Sequence, residues 1–232
     1  MVNVLAEYLE INSKYPLDIS LSKAQKKIRH NELIEWMQRE HESIPRIVEI
    51  DKFVRENNAL KYEQPFFDKV VFPRIQMDID ADEIDSIKFL FDFNYANNRR
   101  IGSWQDCVFM FCLSTDFLYT PLSLSDIILG NDPTNEIVLK YKYEVLKRQL
   151  KDSLHEIPSG VLDGKNAAQK DDMRSITDVL VTFSDLSRKL GNDDSALIQR
   201  CASIYDAWSA YLDHLDDHKH FREYLIKHSI QY

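Results

Sequence analysis

The stretch DDSALIQRCASIYDAWSAYLDHLDD, residues 193–217, decides the fold class. Stepping at about 100° per residue places Leu197, Cys201, Ile204, Trp208, Tyr211 and Leu215 on one narrow stripe, with Asp206, Asp213 and Asp217 on the opposite side. A half-buried strand would alternate at every second residue, and these residues do not. The pattern predicts an amphipathic helix starting near Asp193, directly after a stop signal at Gly191.

The same period recurs outward from this segment. Met173, Ile176, Val179, Leu180, Phe183 and Leu190 form the preceding helix, which Gly191 ends. Asp132-Pro133 marks another start with proline at the first helical position, and Ile137, Val138, Tyr141, Val145 and Leu154 carry that helix to about His155. Ser103 followed by Asp106 reads as a cap with an acid at the third position, and the apolar run from Cys107 to Leu113 behind it is expected to be the central helix. A helix from Asp80 to about Tyr95 aligns Ile84, Ile87, Phe91 and Tyr95. Nearer the start, Leu21, Ala24 and Ile28 lead to Ile34 and Met37, and Ile47, Val48, Ile50 and Val54 make a further helix that fades at Asn57-Asn58.

Two segments break the rhythm. Pro65 and Pro73 bracket Phe66, Phe67, Val70, Val71 and Phe72, which are apolar without helical spacing; this is the one candidate for extended structure and is expected to be an irregular packed connector. Residues 157–172 contain Pro158, Gly160 and Gly164 among polar residues, and read as a long polar loop. They are the one place for an internal boundary in what otherwise reads as a single helical domain over residues 1–232. The fold class is therefore all-α, a multi-helix bundle of about seven to nine helices.

Composition excludes more functions than it suggests. The chain has five glycines in 232 residues, far below the usual share of roughly 7%. Gly102, Gly130 and Gly191 stand alone, so no GxGxxG fingerprint exists. Gly160-Val161-Leu162-Asp163-Gly164-Lys165 resembles a phosphate loop only loosely, with three intervening residues instead of four, an acid within it and Asn166 where Ser or Thr is required. A net charge of −9 opposes direct nucleic-acid and anionic-membrane binding and attracts a basic partner. Cys107, Cys112 and Cys201 are odd in number and lie in apolar surroundings, as reduced core residues of a cytoplasmic protein would. Val2 to Ile11 is interrupted by Glu7 and Glu10, unlike a secretory leader, and Val108 to Leu113 is far too short to span a bilayer, which takes about 20 residues.

No constellation of chemistry-bearing residues is complete. His214 and His218 have the spacing of two zinc ligands on one helical face, but Leu215 stands where HExxH needs its glutamate, so they read as flanks of the apolar stripe. Asp78, Asp80 and Asp82 copy the opening of a calcium loop, which then fails at Glu83 and Phe89. Acids in a first helical turn are favoured by the helix dipole, which accounts for such a cluster without a metal. Arg148 with His155 and Arg222 with His228 resemble the Arg and His pair of the all-helical HEPN ribonucleases, where Arg stabilises phosphorane charge and His moves the proton. No GxSxG elbow is present, and Cys107 and Cys112 have no adjacent base. Trp36, Trp104 and Trp208 are core residues or interface anchors. No catalytic residue, cofactor or metal ligand is therefore assigned.

What remains is acidic surface. Asp78, Asp80, Asp82, Glu83 and Asp85 form the densest acidic segment, and Asp206, Asp213 and Asp217 form a second. Both are candidate docking surfaces for a basic protein. In overall character the chain resembles the immunity proteins of bacterial toxin systems such as contact-dependent growth inhibition. The resemblance implies a non-enzymatic protein that binds a basic, nuclease-type toxin domain and covers its active site. These proteins share no common motif, so the resemblance carries no residue over. A HEPN-like ribonuclease and a helical adaptor or regulatory subunit are the alternatives.

Overall fold

A computed structural model describes residues 3–16, 20–41, 43–157, 159–162 and 167–232. Pro158 and residues 163–166, which belong to the expected polar loop and to the phosphate-loop-like stretch, lie outside the described residues, as does Val2. Among the described residues the chain is all-helical, with no strand and eleven helices in place of the expected seven to nine. The additional helices include Pro121–Asn131 and Phe221–Lys227, the latter only seven residues long and too short to display a periodic stripe.

By contact density the chain divides into two compact units, Met1–Pro133 and Thr134–Tyr232. The first holds α1 (Val4–Lys14), α2 (Lys23–Gln38), α3 (Ile47–Glu56), α4 (residues 64–80), α5 (Asp85–Ala96), α6 (Cys107–Ser114) and α7 (Pro121–Asn131). Helix α5 packs against α3, α4, α6 and α7 and is the centre of this unit, the position the sequence assigned to the Cys107 helix. Helix α6 is too short for that role, although Val108, Phe111 and Cys112 are fully buried.

The stretch between Pro65 and Pro73 is helical, contrary to its reading as an irregular connector. Helix α4 begins as Gln64–Phe66, passes through a π-helical segment, Phe67–Val71, and continues as Phe72–Asp80. Proline inside an α-helix lacks an N–H and clashes with the carbonyl four residues back. Here the preceding Phe72 N–H reaches the carbonyl of Phe67, five residues back, so the turn widens ahead of Pro73 and the helix continues. The added residue shifts the helical phase, which is why no regular spacing was visible.

That helix supplies the aromatic core. Tyr8 lies 4.8 Å from Phe66 and 5.2 Å from Trp36, and Phe67 lies 5.2 Å from Phe93. Phe72 reaches Phe111 of α6 at 5.6 Å. Each fully buried ring of this kind contributes about 1.5–3 kcal/mol. The polar tips are satisfied, since Trp36 Nε1 donates to the Val4 carbonyl at 3.2 Å and the Tyr8 hydroxyl accepts from the Glu63 N–H at 3.4 Å. Cys107 and Cys112 are buried here, and burial pushes both thiols up to about 12, which keeps them protonated at neutral pH.

The second unit holds α8 (Glu136–Ser153), α9 (Asp172–Lys189), α10 (Ser195–Leu212) and α11 (Phe221–Lys227), packed in sequence order. Gly191, at φ +70°, ends α9 in a Schellman motif: the Asn192 N–H donates to the Ser187 carbonyl and the Gly191 N–H to that of Arg188. The described parts of the 157–172 segment lie inside this unit and are pinned. Val161 and Ala168 are buried, Trp208 Nε1 donates to the Ala168 carbonyl at 2.8 Å, and a Cβ on Gly160 would meet the Trp208 ring at 2.9 Å.

A buried polar knot joins three helices of this unit. The Asp194 carboxylate accepts from Tyr143 Oη, Ser187 Oγ and Lys147 Nζ, each at 2.7 Å. Burial alone would raise this carboxyl, but bonds from Lys147, Ser187 and Tyr143 outweigh it and hold it below the ordinary carboxylate value of 3.8. A depressed carboxylate contributes stability that is present above its unfolded value and is lost as pH falls through the folded one. Asp194→Asn is therefore expected to lower stability at pH 7 by about 2 kcal/mol. Urea unfolding at pH 7 and below pH 4 checks this, because the gap between variant and parent should narrow in acid.

Candidate functional site

The acids singled out in the first unit lie at the junction of α4 and α5. Asp78 is buried at 2% exposure and paired with Arg74, so it anchors the helix end, while Asp80, Asp82, Glu83 and Asp85 are exposed. The expected helix start at Asp80 is displaced: α4 ends at Asp80 and α5 begins at Asp85. This reverses part of the dipole argument. Asp85 sits in a first turn, where the dipole favours an acid, but Asp78 and Asp80 occupy a last turn, where it opposes one.

The turn itself is rigid. The Glu83 N–H donates to the Asp78 carbonyl at 2.7 Å and the Asp82 N–H to that of Ile79 at 3.0 Å, the two bonds of a Schellman motif. Its left-handed position is filled by Asp82, at φ +59°. Glycine is the residue that motif favours, and Asp tolerates it at a cost. Asp80 accepts a bond from Gln76 Nε2 at 2.8 Å, and among the described residues none of the four exposed acids makes an ion pair. Met77, half exposed on the preceding turn of α4, places an apolar side chain beside them.

The second acidic set is placed differently. Asp206 is exposed on α10, but α10 ends at Leu212, so Asp213 follows the helix and Asp217 lies in the 3₁₀ turn Leu215–Asp217. Asp213 is paired with Lys170, and Asp217 lies 3.4 Å from His214 Nδ1. The same helix end separates His214 from His218, which share no helical face, and leaves Leu215 52% exposed instead of on the buried stripe. Among the described residues no group of three His, Cys, Asp or Glu side chains is placed to hold a metal ion.

The Arg and His pairs are likewise drawn apart from the expected arrangement. Arg148 lies 3.8 Å from Asp152, and His155, beyond the end of α8, contacts Glu156 at 2.8 Å. Arg222 is on α11, whereas His228 follows its last residue and stacks on Tyr224 at 4.3 Å. Ser103 does not cap α6. Asp106 does so, accepting from the Val108 and Phe109 N–H groups, while Ser103 closes the preceding turn.

Two arrangements could not be read from the sequence. Glu7 on α1 is buried and accepts from Arg39 at 2.5 Å, with His41 Nε2 at 3.0 Å, beside a cavity of about 470 Å³. Burial would raise the Glu7 carboxyl, and the bonds from His41 and Arg39 bring it below its ordinary value. The bonds from Arg39 and His41 to Glu7 tie α1 to the chain beyond α2, while His41 Nδ1 is buried without a partner. The second arrangement gathers Arg29, Lys61, Arg99 and Trp104 around one groove. Neither has a local signature, since partners up to 75 positions apart carry no common period.

Compared with protein-family models, curated proteins and solved structures, the chain matches none.

The Asp82 position gives a direct check on whether this turn is built for stability. Replacing Asp82 with Gly removes the left-handed strain at the expense of unfolded-chain entropy, and is expected to leave the fold intact and raise stability by up to about 1 kcal/mol. Urea unfolding of Asp82→Gly against the parent measures it; a clear loss of stability would mean that the aspartate serves the fold.

Proposed function

We propose that this chain is a non-enzymatic binding protein that meets a basic protein partner through the α4–α5 turn. In the fuller form of this reading it is an immunity-type inhibitor, acting in the cytoplasm and covering the active site of a nuclease-type toxin domain. The observation that carries the reading is the set Asp80, Asp82, Glu83 and Asp85: four exposed carboxylates within six residues, without an internal cation. One stands in a left-handed position suited to glycine, and another stands at a helix end that disfavours acids. Neither backbone position favours an acid, whereas an acid at each suits a surface that must attract and orient a cationic partner.

A nuclease domain is basic because it must hold phosphates, so an acidic inhibitor gains a steered encounter and takes the place of the displaced phosphates. Exposed Met77 offers an apolar anchor beside the charged rim. The three buried, unpaired thiols fit a reducing compartment.

The test is affinity capture from the native source at low and high salt, using the parent and a variant with Asp80, Asp82, Glu83 and Asp85 all changed to Lys. The parent should retain a basic protein in equal amount and release it as salt rises. The variant should associate at least about tenfold more slowly with that protein once both are purified. Equal capture by a correctly folded variant would remove this turn from the interface.

A further inference from the structure

The groove around Arg29 has the opposite electrostatic character to the rest of the chain. It encloses about 880 Å³ and is lined, among others, by Arg29, His30, Lys61, Tyr62, Arg99 and Trp104. Glu63 is its one carboxylate, and that carboxylate is already paired with Arg29. In a chain of net charge −9, a concavity with three permanent cations against one acid marks a place where negative charge is wanted.

Each cation is placed by a different part of the fold. Arg29 forms the floor with its side chain 8% exposed. Its Nη2 donates to Asn12 Oδ1 at 3.0 Å and to Glu63, while its Nε–H is buried with no partner. Glu63 balances the charge of this floor, so the net positive charge of the groove comes from Lys61 and Arg99. The Arg99 guanidinium lies over the rings of Phe67 and Phe93, at 5.1 and 4.8 Å, and donates to the carbonyls of Gln105 and Tyr62 at 2.8 and 3.1 Å. These contacts fix its position without neutralising its charge. Lys61 is exposed on the wall and, among the described residues, makes no ion pair.

Beside these cations stands Trp104, with 74% of its surface exposed, more than any other large apolar side chain described. It stands on a clamped loop. Asp106 is fully buried and accepts from the Gly102 N–H at 2.7 Å, Arg99 holds the Gln105 carbonyl, and the indole meets Phe109 edge-on at 6.5 Å. An indole presented on this loop offers a stacking face in the same groove that Lys61 and Arg99 line.

We propose that this groove binds a small ligand bearing a phosphate and a flat ring, of the mononucleotide type. The phosphate sits against Lys61 and Arg99 over the Arg29 floor, and the ring stacks on Trp104. Such a site needs no glycine loop, because side-chain cations replace the backbone N–H groups that a phosphate loop provides. The volume falls in the range of small-molecule sites, about 300–1,000 Å³. The overall negative charge opposes a long polyanion more strongly than a single nucleotide.

The experiment is a titration of the full chain with AMP, followed by calorimetry and by Trp fluorescence. Adenosine, inorganic phosphate and a single-stranded oligoadenylate serve as separate arms. AMP should bind with quenching, while adenosine and phosphate each bind at least about tenfold more weakly. Lys61→Glu and Trp104→Ala, both at exposed positions, should each weaken AMP binding about tenfold or more with the circular dichroism unchanged. No heat or quenching with AMP up to about 5 mM would overturn the proposal. So would phosphate binding as tightly as AMP, Trp104→Ala binding like the parent, or oligoadenylate binding more tightly with a steep salt dependence.

Discussion

The first unit depends on a helix that passes through a proline. Pro73 removes one backbone donor, and the π-helical segment ahead of it lets α4 continue. Phe66, Phe67 and Phe72 before the proline pack toward Tyr8, Phe93 and Phe111, and the helix beyond it buries Ile75 and Asp78, which would lose their scaffold if α4 stopped at Phe72. Both surface features adjoin this helix. Phe67, in the π segment, lies under the Arg99 guanidinium, and the far end of the helix leads into the turn of exposed acids. A cationic groove and an anionic turn thus adjoin one helix on the same unit.

Much of the helical fold was legible because burial follows the period of the helix. Cys201, Ile204, Trp208 and Tyr211 are buried as their spacing requires, and Gly191 ends α9 in the left-handed position its chemistry suits. Sequence and structure differ where the period is interrupted. Two prolines and a phase shift hid α4, and the α10 stripe was extended to Leu215 because a sequence does not reveal that the backbone leaves the helix after Leu212. At α6, Ser103 and Asp106 are both good capping residues, and only the fold decides that Asp106 takes the position.

The candidate sites show a similar division. A run of acids is visible in any sequence, but whether it is exposed and which helix end it occupies are not. Asp78 belongs to an ion pair inside the fold, and Asp213 is bonded to Lys170 from a distant segment. The groove had no sequence signal, because Arg29 lies on α2, Lys61 on the segment between α3 and α4, and Arg99 and Trp104 on the segment between α5 and α6. Tertiary packing alone brings them together.

The central claim is that the α4–α5 turn is a contact surface, and the most direct measurement is site-specific photo-crosslinking in the native source. A photoreactive residue is placed at Glu83 in one variant and at exposed Val181 on α9 in another. The account predicts that position 83 crosslinks to a basic protein and that position 181 does not. If a partner is captured from position 181 and none from position 83, the acids of this turn do not form the interface.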